Sequence, residues 1–167
     1  MKPPSSALPG ATLHPNAGCI TRFYAAFAER DAEGMVAEYH CDVRFSDPVF
    51  QQLRGPRARG MWRMLAGRAK DLVVSLRDVD AGAAQGRARW EARYTFSATG
   101  RRVHNVVEAR FTFEGGQILA HDDSFDLWRW AGMALGARGR LLGWTPFVQA
   151  AIRKKAAEGL DAYLRPA

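Results

Sequence analysis

Asp47, His121 and Asp123 are the residues of this chain whose types and placement suit them to move protons. In the run VRFSDPVF, residues 43–50, apolar and polar residues alternate as in a half-buried strand. Asp47 falls on the parity of Val43, Phe45 and Val49, which aims a carboxylate toward the core. An ionised carboxylate buried without partners is expensive, so such a residue has hydrogen bonds, a shifted pKa or access to a wet cavity. Near the other end of the chain, His121 and Asp123 stand two residues apart and share one face of a strand-like run. A carboxylate beside an imidazole can poise it as a base near neutral pH, and Asn105 could donate to a carbonyl oxygen.

Each of these residues also has a structural role open to it. Asp47 before Pro48 can cap a turn, His121 and Asp123 can form a buried structural pair, and Asn105 can satisfy a backbone group at a bulge. A metal centre is not expected, because His40 and His104 fall on the outer parity, alternation sends Asp122 outward, and only His121 faces in.

The elements that must position these groups are legible from periodicity. Pro15-Asn16 opens a helix whose Ile20, Phe23, Tyr24 and Phe27 make one buried stripe, and Asp31 caps a short second helix bearing Met35, Val36 and Tyr39. Gly55-Pro56 opens a third, with Met61, Trp62, Leu65 and Ala69 on its apolar face. From Leu72 the period changes to two, giving long antiparallel strands over residues 72–79, 85–97, 101–114 and 117–127. A tight hairpin between the second and third of these sets Arg89 opposite Glu108 on the outer face and Asn105 opposite Ala92 on the inner one. At Glu114-Gly115-Gly116 two turns compete. A two-residue turn would face Ala120 and Asp122 inward, whereas a three-residue turn with a bulge at Gly116 faces Leu119, His121, Asp123, Phe125 and Leu127 inward and is preferred on apolar content.

This reading gathers the polar groups among Phe23, Tyr24, Phe27, Trp62, Trp90, Tyr94, Phe111 and Phe125, the usual composition of a small-molecule site. At 167 residues the chain suits one domain, and 47% apolar with 25% charged residues is a globular composition. The net charge of +7 raises nucleic acid as a partner. However, thirteen basic residues lie between Arg54 and Arg110, many at every second position of strand-like runs, and no nucleic-acid motif accompanies them, so no nucleic-acid partner is expected. Residues 1–14 lack the apolar core of a secretory signal and suggest a disordered tail. Cys19 and Cys41, without CxxC spacing, suggest reduced, packed thiols in a cytoplasmic protein.

The run YHCDVRFSDPVFQQLRGPRARGMW, with its short helix ending in Tyr, its Asp-Pro strand and its Gly opening a helix, resembles the NTF2-like superfamily. RFTFEGGQILAHDDSFDL resembles the hairpin and last strand of its SnoaL-like and ketosteroid-isomerase-like branch. The resemblance covers about residues 16–128. It implies a cone-shaped α+β barrel in which a curved, mainly antiparallel sheet and the first helices enclose an apolar pocket. It places Asp47 at the position of the isomerase carboxylate that abstracts a proton beside a ketone. The oxyanion-hole positions of that branch fall at Phe23 and Ala109, so steroid isomerisation is not expected here.

Two functions follow as expectations: a cofactor-independent isomerase, cyclase or hydrolase acting on an apolar carbonyl, epoxide or polyketide-like substrate, or a ligand-binding or protein-interaction module without chemistry. Relatives commonly pair through the convex sheet face, so a homodimer through Arg87, Arg89, Glu91, Arg93, Glu108 and Arg110 is expected. Residues 129–167 form a C-terminal helical extension of the domain at residues 15–128. Thr145-Pro146 opens its last helix, which carries the stripe Val148, Ile152, Ala156, Leu160 and Leu164. Packing on the barrel is preferred over a partner subunit or an anionic membrane, because Trp128, Trp130, Leu141, Leu142, Trp144 and Phe147 are a large apolar group to leave in water.

Overall fold

A computed structural model describes residues 13–166. Helix α1 (Pro15–Ala28) starts at His14, whose side chain accepts from the Asn16 N–H at 3.1 Å. The rest of the expected tail, residues 1–12, lies outside the described residues. Asp31 caps α2 (Ala32–Ala37) by accepting from Gly34 N, and α3 (Pro56–Arg68) carries Pro in its first turn. Between them run β1 (Tyr39–Ser46) and the two-residue β2 (Leu53–Arg54), followed by β3 (Val73–Ala81), β4 (Gln85–Phe96), β5 (Arg101–Glu114) and β6 (Gln117–Ser124). The chain ends in α4 (Leu127–Leu135), α5 (Ala137–Leu142) and α6 (Pro146–Leu164).

The strands form one mixed sheet in the order β2-β1-β6-β5-β4-β3, with β1 and β6 parallel. The sheet does not close on itself. Helix α1 lies against β3, β4 and β6, and α3 against β1, so the helices complete a cone-like α+β enclosure. The stripe read from the sequence lines it, since Ile20, Phe23, Tyr24 and Phe27 are all buried. The β4–β5 ladder runs without interruption from Gln85↔Thr112 to Phe96↔Arg101, and it pairs Arg89 with Glu108 and Ala92 with Asn105 as the alternation requires.

Several boundaries differ from the sequence reading. Tyr39 opens β1 and does not belong to α2, because α2 ends at Ala37 and the backbone goes straight into pairing with β6. β1 ends at Ser46, so Asp47 stands just beyond the strand, in a turn closed by Asp47 N–H donating to Phe50 O at 2.8 Å. β6 ends at Ser124, and Asp126 caps α4 by accepting from Arg129 N at 2.9 Å. Cys41 is exposed and only Cys19 is packed; both are free thiols.

The glycine turn is also a correction. Glu114 pairs directly with Gln117, so Gly115 and Gly116, with φ of 58° and 78°, form a two-residue turn, the conformation in which Gly-Gly is favoured. The inward parity of His121 and Asp123 survives because the extra residue lies further on. Thr112 pairs with Ala120 and Phe113 with Ile118, leaving Leu119 as a bulge. Leu119 is therefore half-buried, whereas Ile118, Ala120 and His121 are buried.

Candidate functional site

The side chains singled out by sequence divide into a sealed layer and an open one. His121 is fully buried, with its ring stacked 5.9 Å from Trp62 and tilted against Phe111 at 4.5 Å. Phe23, Tyr24, Phe27, Trp62, Trp90 and Phe111 are buried against one another around it. Tyr94, Asn105 and Phe125, by contrast, are only half-buried. Asn105 faces the same side of β5 as Val107 and Ala109, whose side chains are in the core.

The hydrogen bonds of His121 fix its tautomer. Trp62 Nε1–H donates to Tyr39 Oη at 2.6 Å, which leaves the Tyr39 proton free for His121 Nδ1, 2.8 Å away. With Nδ1 accepting, the ring proton of a neutral imidazole resides on Nε2, which lies 2.9 Å from Asp123 Oδ1 and 3.3 Å from Tyr24 Oη. Trp90 Nε1–H also donates to Asp123 Oδ1, at 3.4 Å. Burial first, and then the charge on Asp123, pushes the hydroxyls of Tyr24 and Tyr39 well above the ordinary tyrosine range, so both keep their protons. Every fully buried side-chain nitrogen and oxygen among the described residues has a hydrogen-bond partner.

Tyr39 is the member of this network that sequence reasoning missed. Its place on β1, opposite Ile118 of β6, is what brings the hydroxyl to the imidazole. No local pattern marks it: Tyr39 and Val43 are buried with Cys41 and Asp42 exposed between them, a spacing that suits a helix as well as a strand.

Asp47 lies at the open end of the enclosure. Its Oδ1 accepts from the backbone N–H groups of Val49, at 2.7 Å, and Phe50, leaving Oδ2 without a hydrogen bond among the described residues. Burial raises its carboxyl from 3.8 to about 7, with the nearby charge of Asp123 adding to the rise and the two backbone hydrogen bonds opposing it. The Asp47 charge in turn contributes to a raised Tyr94 hydroxyl, whose main cause is burial. Asp47, Asp123 and Tyr94 are thus electrostatic neighbours, brought together by the C-terminal ends of β1, β6 and β4. Two C-terminal helices flank this end: Trp130 of α4 donates to Tyr94 Oη at 2.9 Å, and Arg153 of α6 donates to Pro48 O at 2.8 Å.

For a metal, the described residues offer one trio with ligand atoms within 4.8 Å of one another, His40, Cys41 and Asp42. It lies outside the core, and His40 Nδ1 already accepts from Asp42 N at 3.1 Å.

A family model for the SnoaL-like domain matches residues 20–121. The chain belongs to the SnoaL-like family. No curated protein sequence matches it. Among solved structures, this SnoaL-like chain is similar to a putative SnoaL-like polyketide cyclase from Jannaschia sp. CCS1, with a TM-score of 0.65, 14% identity and coverage of 78% of this chain and 99% of the other. It is similar to an LEH-like epoxide hydrolase of M. tuberculosis, at TM-score 0.62, 21% identity and coverage of 79% and 96%. It is also similar to TerC co-crystallised with polyporic acid, at TM-score 0.62, 18% identity and coverage of 72% and 98%. At these identities the likeness is one of fold, and it agrees with the NTF2-like cone built above.

Proposed function

We propose that this SnoaL-like protein is a cofactor-independent acid–base enzyme acting on an apolar carbonyl, epoxide or polyketide-like small molecule, with Asp47 as the proton-transferring group. The observation that carries the reading is the Asp47 carboxyl, raised to about 7, with one oxygen tied to two backbone N–H groups and the other free. A carboxyl that titrates near neutral pH can both give and take a proton. Asp123 is the second carboxylate. His121, sealed behind it, is a positioning residue that holds Asp123 Oδ1 in place through Nε2–H. On an epoxide, protonated Asp47 would give its proton to the ring oxygen as the C–O bond breaks, while Asp123 takes a proton from the attacking water. On a ketone, ionised Asp47 would take the proton from the adjacent carbon and return it elsewhere. Half-buried Tyr94, Asn105 and Phe125, with Trp90 behind them, are the ligand-contacting groups of this reading. The polyketide cyclase and epoxide hydrolase among the similar folds support the substrate class.

The test is turnover of a panel of apolar epoxides and 1,3-diketones by the native chain and by Asp47→Asn. Loss of turnover with an unchanged circular dichroism spectrum is expected. A second reading, a ligand-binding module without chemistry, rests on the full burial of His121 and on the turn that Asp47 Oδ1 holds. That reading replaces the first if ligands bind equally to both forms and neither turns them over.

A further inference from the structure

Of the apolar group expected to be covered as the C-terminal extension packs on the barrel, only Trp130 is half-buried, its indole N–H donating to Tyr94. Helix α6 does pack on α3: Leu160 is fully buried, Arg57 pairs with Asp161 at 2.8 Å, and Leu164 lies over Gly60. Yet Trp128, Leu141, Leu142, Trp144 and Phe147 are exposed, from 48% for Trp128 to 84% for Phe147. These residues belong to one folded unit. Trp128 Nε1–H donates to Arg140 O at 3.0 Å, Trp144 Nε1–H to Leu141 O at 3.1 Å, and the Thr145 hydroxyl to Leu142 O at 2.6 Å before capping α6. A contiguous apolar surface held open by specific hydrogen bonds marks an interaction site.

Its charge is one-sided. Between residues 127 and 157 the chain carries Arg129, Arg138, Arg140, Arg153, Lys154 and Lys155 and no acidic residue. Beside Trp128 opens a cleft of about 520 Å³, lined by Arg101, Arg102, Arg129 and Arg140. None of these four guanidinium groups is in an ion pair with a described carboxylate. Among the described residues the only carboxylate lining the cleft, Asp126, is engaged in capping α4.

We propose that α4, α5 and the start of α6 are a docking surface for an anionic lipid bilayer, with Trp128, Leu141, Trp144 and Phe147 entering the interface and the arginine cleft receiving a lipid phosphate. Tryptophan beside aliphatic residues with flanking basic groups is the composition of a segment that lies in the headgroup region, attracted by anionic lipids. No helix among the described residues is long and apolar enough to cross a membrane, so the contact is peripheral. A second copy of the chain is a poor occupant, because two-fold pairing would bring six positive charges against six, relieved only by Asp126 and Glu158 at the edges of the face. The same helices flank the Asp47 end, so a bilayer-dissolved apolar substrate would have a short path to the site. That consequence rests on the proposed enzyme reading, whereas the docking does not.

The experiment is co-sedimentation of the full chain with phosphatidylcholine vesicles containing about 30% phosphatidylglycerol, against vesicles of phosphatidylcholine alone. Binding to the anionic vesicles is expected, falling roughly tenfold between about 50 mM and 300 mM salt as exposed charges are screened. Leu141→Ser with Phe147→Ser, and separately Arg138→Glu with Arg140→Glu, each lower bound protein roughly tenfold at an unchanged melting temperature, because these side chains are solvent-exposed. Absence of vesicle binding overturns the proposal. So does a change of oligomeric state in the Leu141/Phe147 variant, which assigns the face to a second copy. Displacement from vesicles by inorganic phosphate at millimolar concentration, or by a short oligonucleotide, also overturns it, since the cleft would then serve a soluble anion or a nucleic acid.

Discussion

Tyr39 Oη lies 2.8 Å from Nδ1 of His121 and is, among the described residues, the only hydroxyl reaching that nitrogen, while its oxygen accepts the indole N–H of Trp62 at 2.6 Å. Tyr39→Phe therefore strands two buried polar groups at once. A stability loss of about 3 kcal/mol is expected, since each buried group left unsatisfied costs about 1–3 kcal/mol. Urea unfolding measures it. The ¹⁵N resonances of the His121 ring should move with it, because Nδ1 loses the donor that selected the tautomer.

Asp47 makes stability depend on pH in a direction opposite to that of a paired carboxylate. Its ordinary value is 3.8 and its folded value about 7. Below pH 4 the carboxyl is protonated in both states and nothing is lost. From there to about pH 7 the unfolded chain gives up a proton that the folded chain keeps, so stability falls, and above pH 7 it levels off. The full shift corresponds to about 4 kcal/mol, an upper bound that water reaching a half-buried carboxylate reduces. Asp47→Asn keeps an acceptor oxygen for Val49 and Phe50 without the charge. It should match the native chain in unfolding midpoint at pH 4 and exceed it at pH 8.

The two thiols should differ sharply in reactivity. Burial is the main reason the Cys19 thiol is pushed up to about 12, and Cys41 is open to solvent. A thiol reagent at pH 8 is expected to modify Cys41 alone, with Cys19 reacting only in denaturant. Modification of Cys19 at the native rate of Cys41 would mean that α1 opens readily from the sheet.

Two glycines are predicted to respond in opposite ways. A Cβ at Gly139 would run into the Ala131 carbonyl of α4, backbone that cannot swing aside, so Gly139→Ala should cost about 1–3 kcal/mol and splay α5 from α4. At Gly60 the Cβ meets only the end of the Leu164 side chain, which can rotate. The gain in helix propensity of about 1 kcal/mol should then leave Gly60→Ala close to neutral in thermal unfolding.

The outer face of β4 and β5 carries Arg89 and Glu108 3.5 Å apart among exposed Arg87, Arg93 and Arg110. A homodimer through this face is the expected assembly, measurable by sedimentation. Glu108→Arg should shift it to monomer, because like charges then meet across the two-fold axis.

What could be read from the sequence follows from how far each signal reaches. The stripe Ile20, Phe23, Tyr24 and Phe27 and the whole β4–β5 register are local: periodicity sets the first, and strict alternation across one short turn sets the second. The parallel pairing of β1 with β6 joins segments some eighty residues apart, and it decides where Tyr39 belongs. No local pattern contains that information. The end of β1 before Asp47 escaped for a related reason, since alternation continues through Pro48-Val49-Phe50 although the backbone has already turned. The exposed Trp144 and Phe147 ran against the rule that large apolar side chains find cover, a rule that fails where a surface has a partner outside the chain.

Leu119 gives the hairpin an arithmetic of its own. Because the turn contributes an even number of residues and the bulge one more, the inward direction of His121 and Asp123 depends on a single supernumerary position. Pairing Leu119 with Thr112 in an unbulged ladder would act on this site as a frameshift acts on a message: every later side chain of β6 changes face, Asp122 and Ser124 turn to the interior, and the imidazole is sent to solvent. The composition of the strand would be almost unaltered. The bulge in this hairpin thus selects between two different chemistries of the same cone, and losing Leu119 itself would leave His121 opposite Phe111.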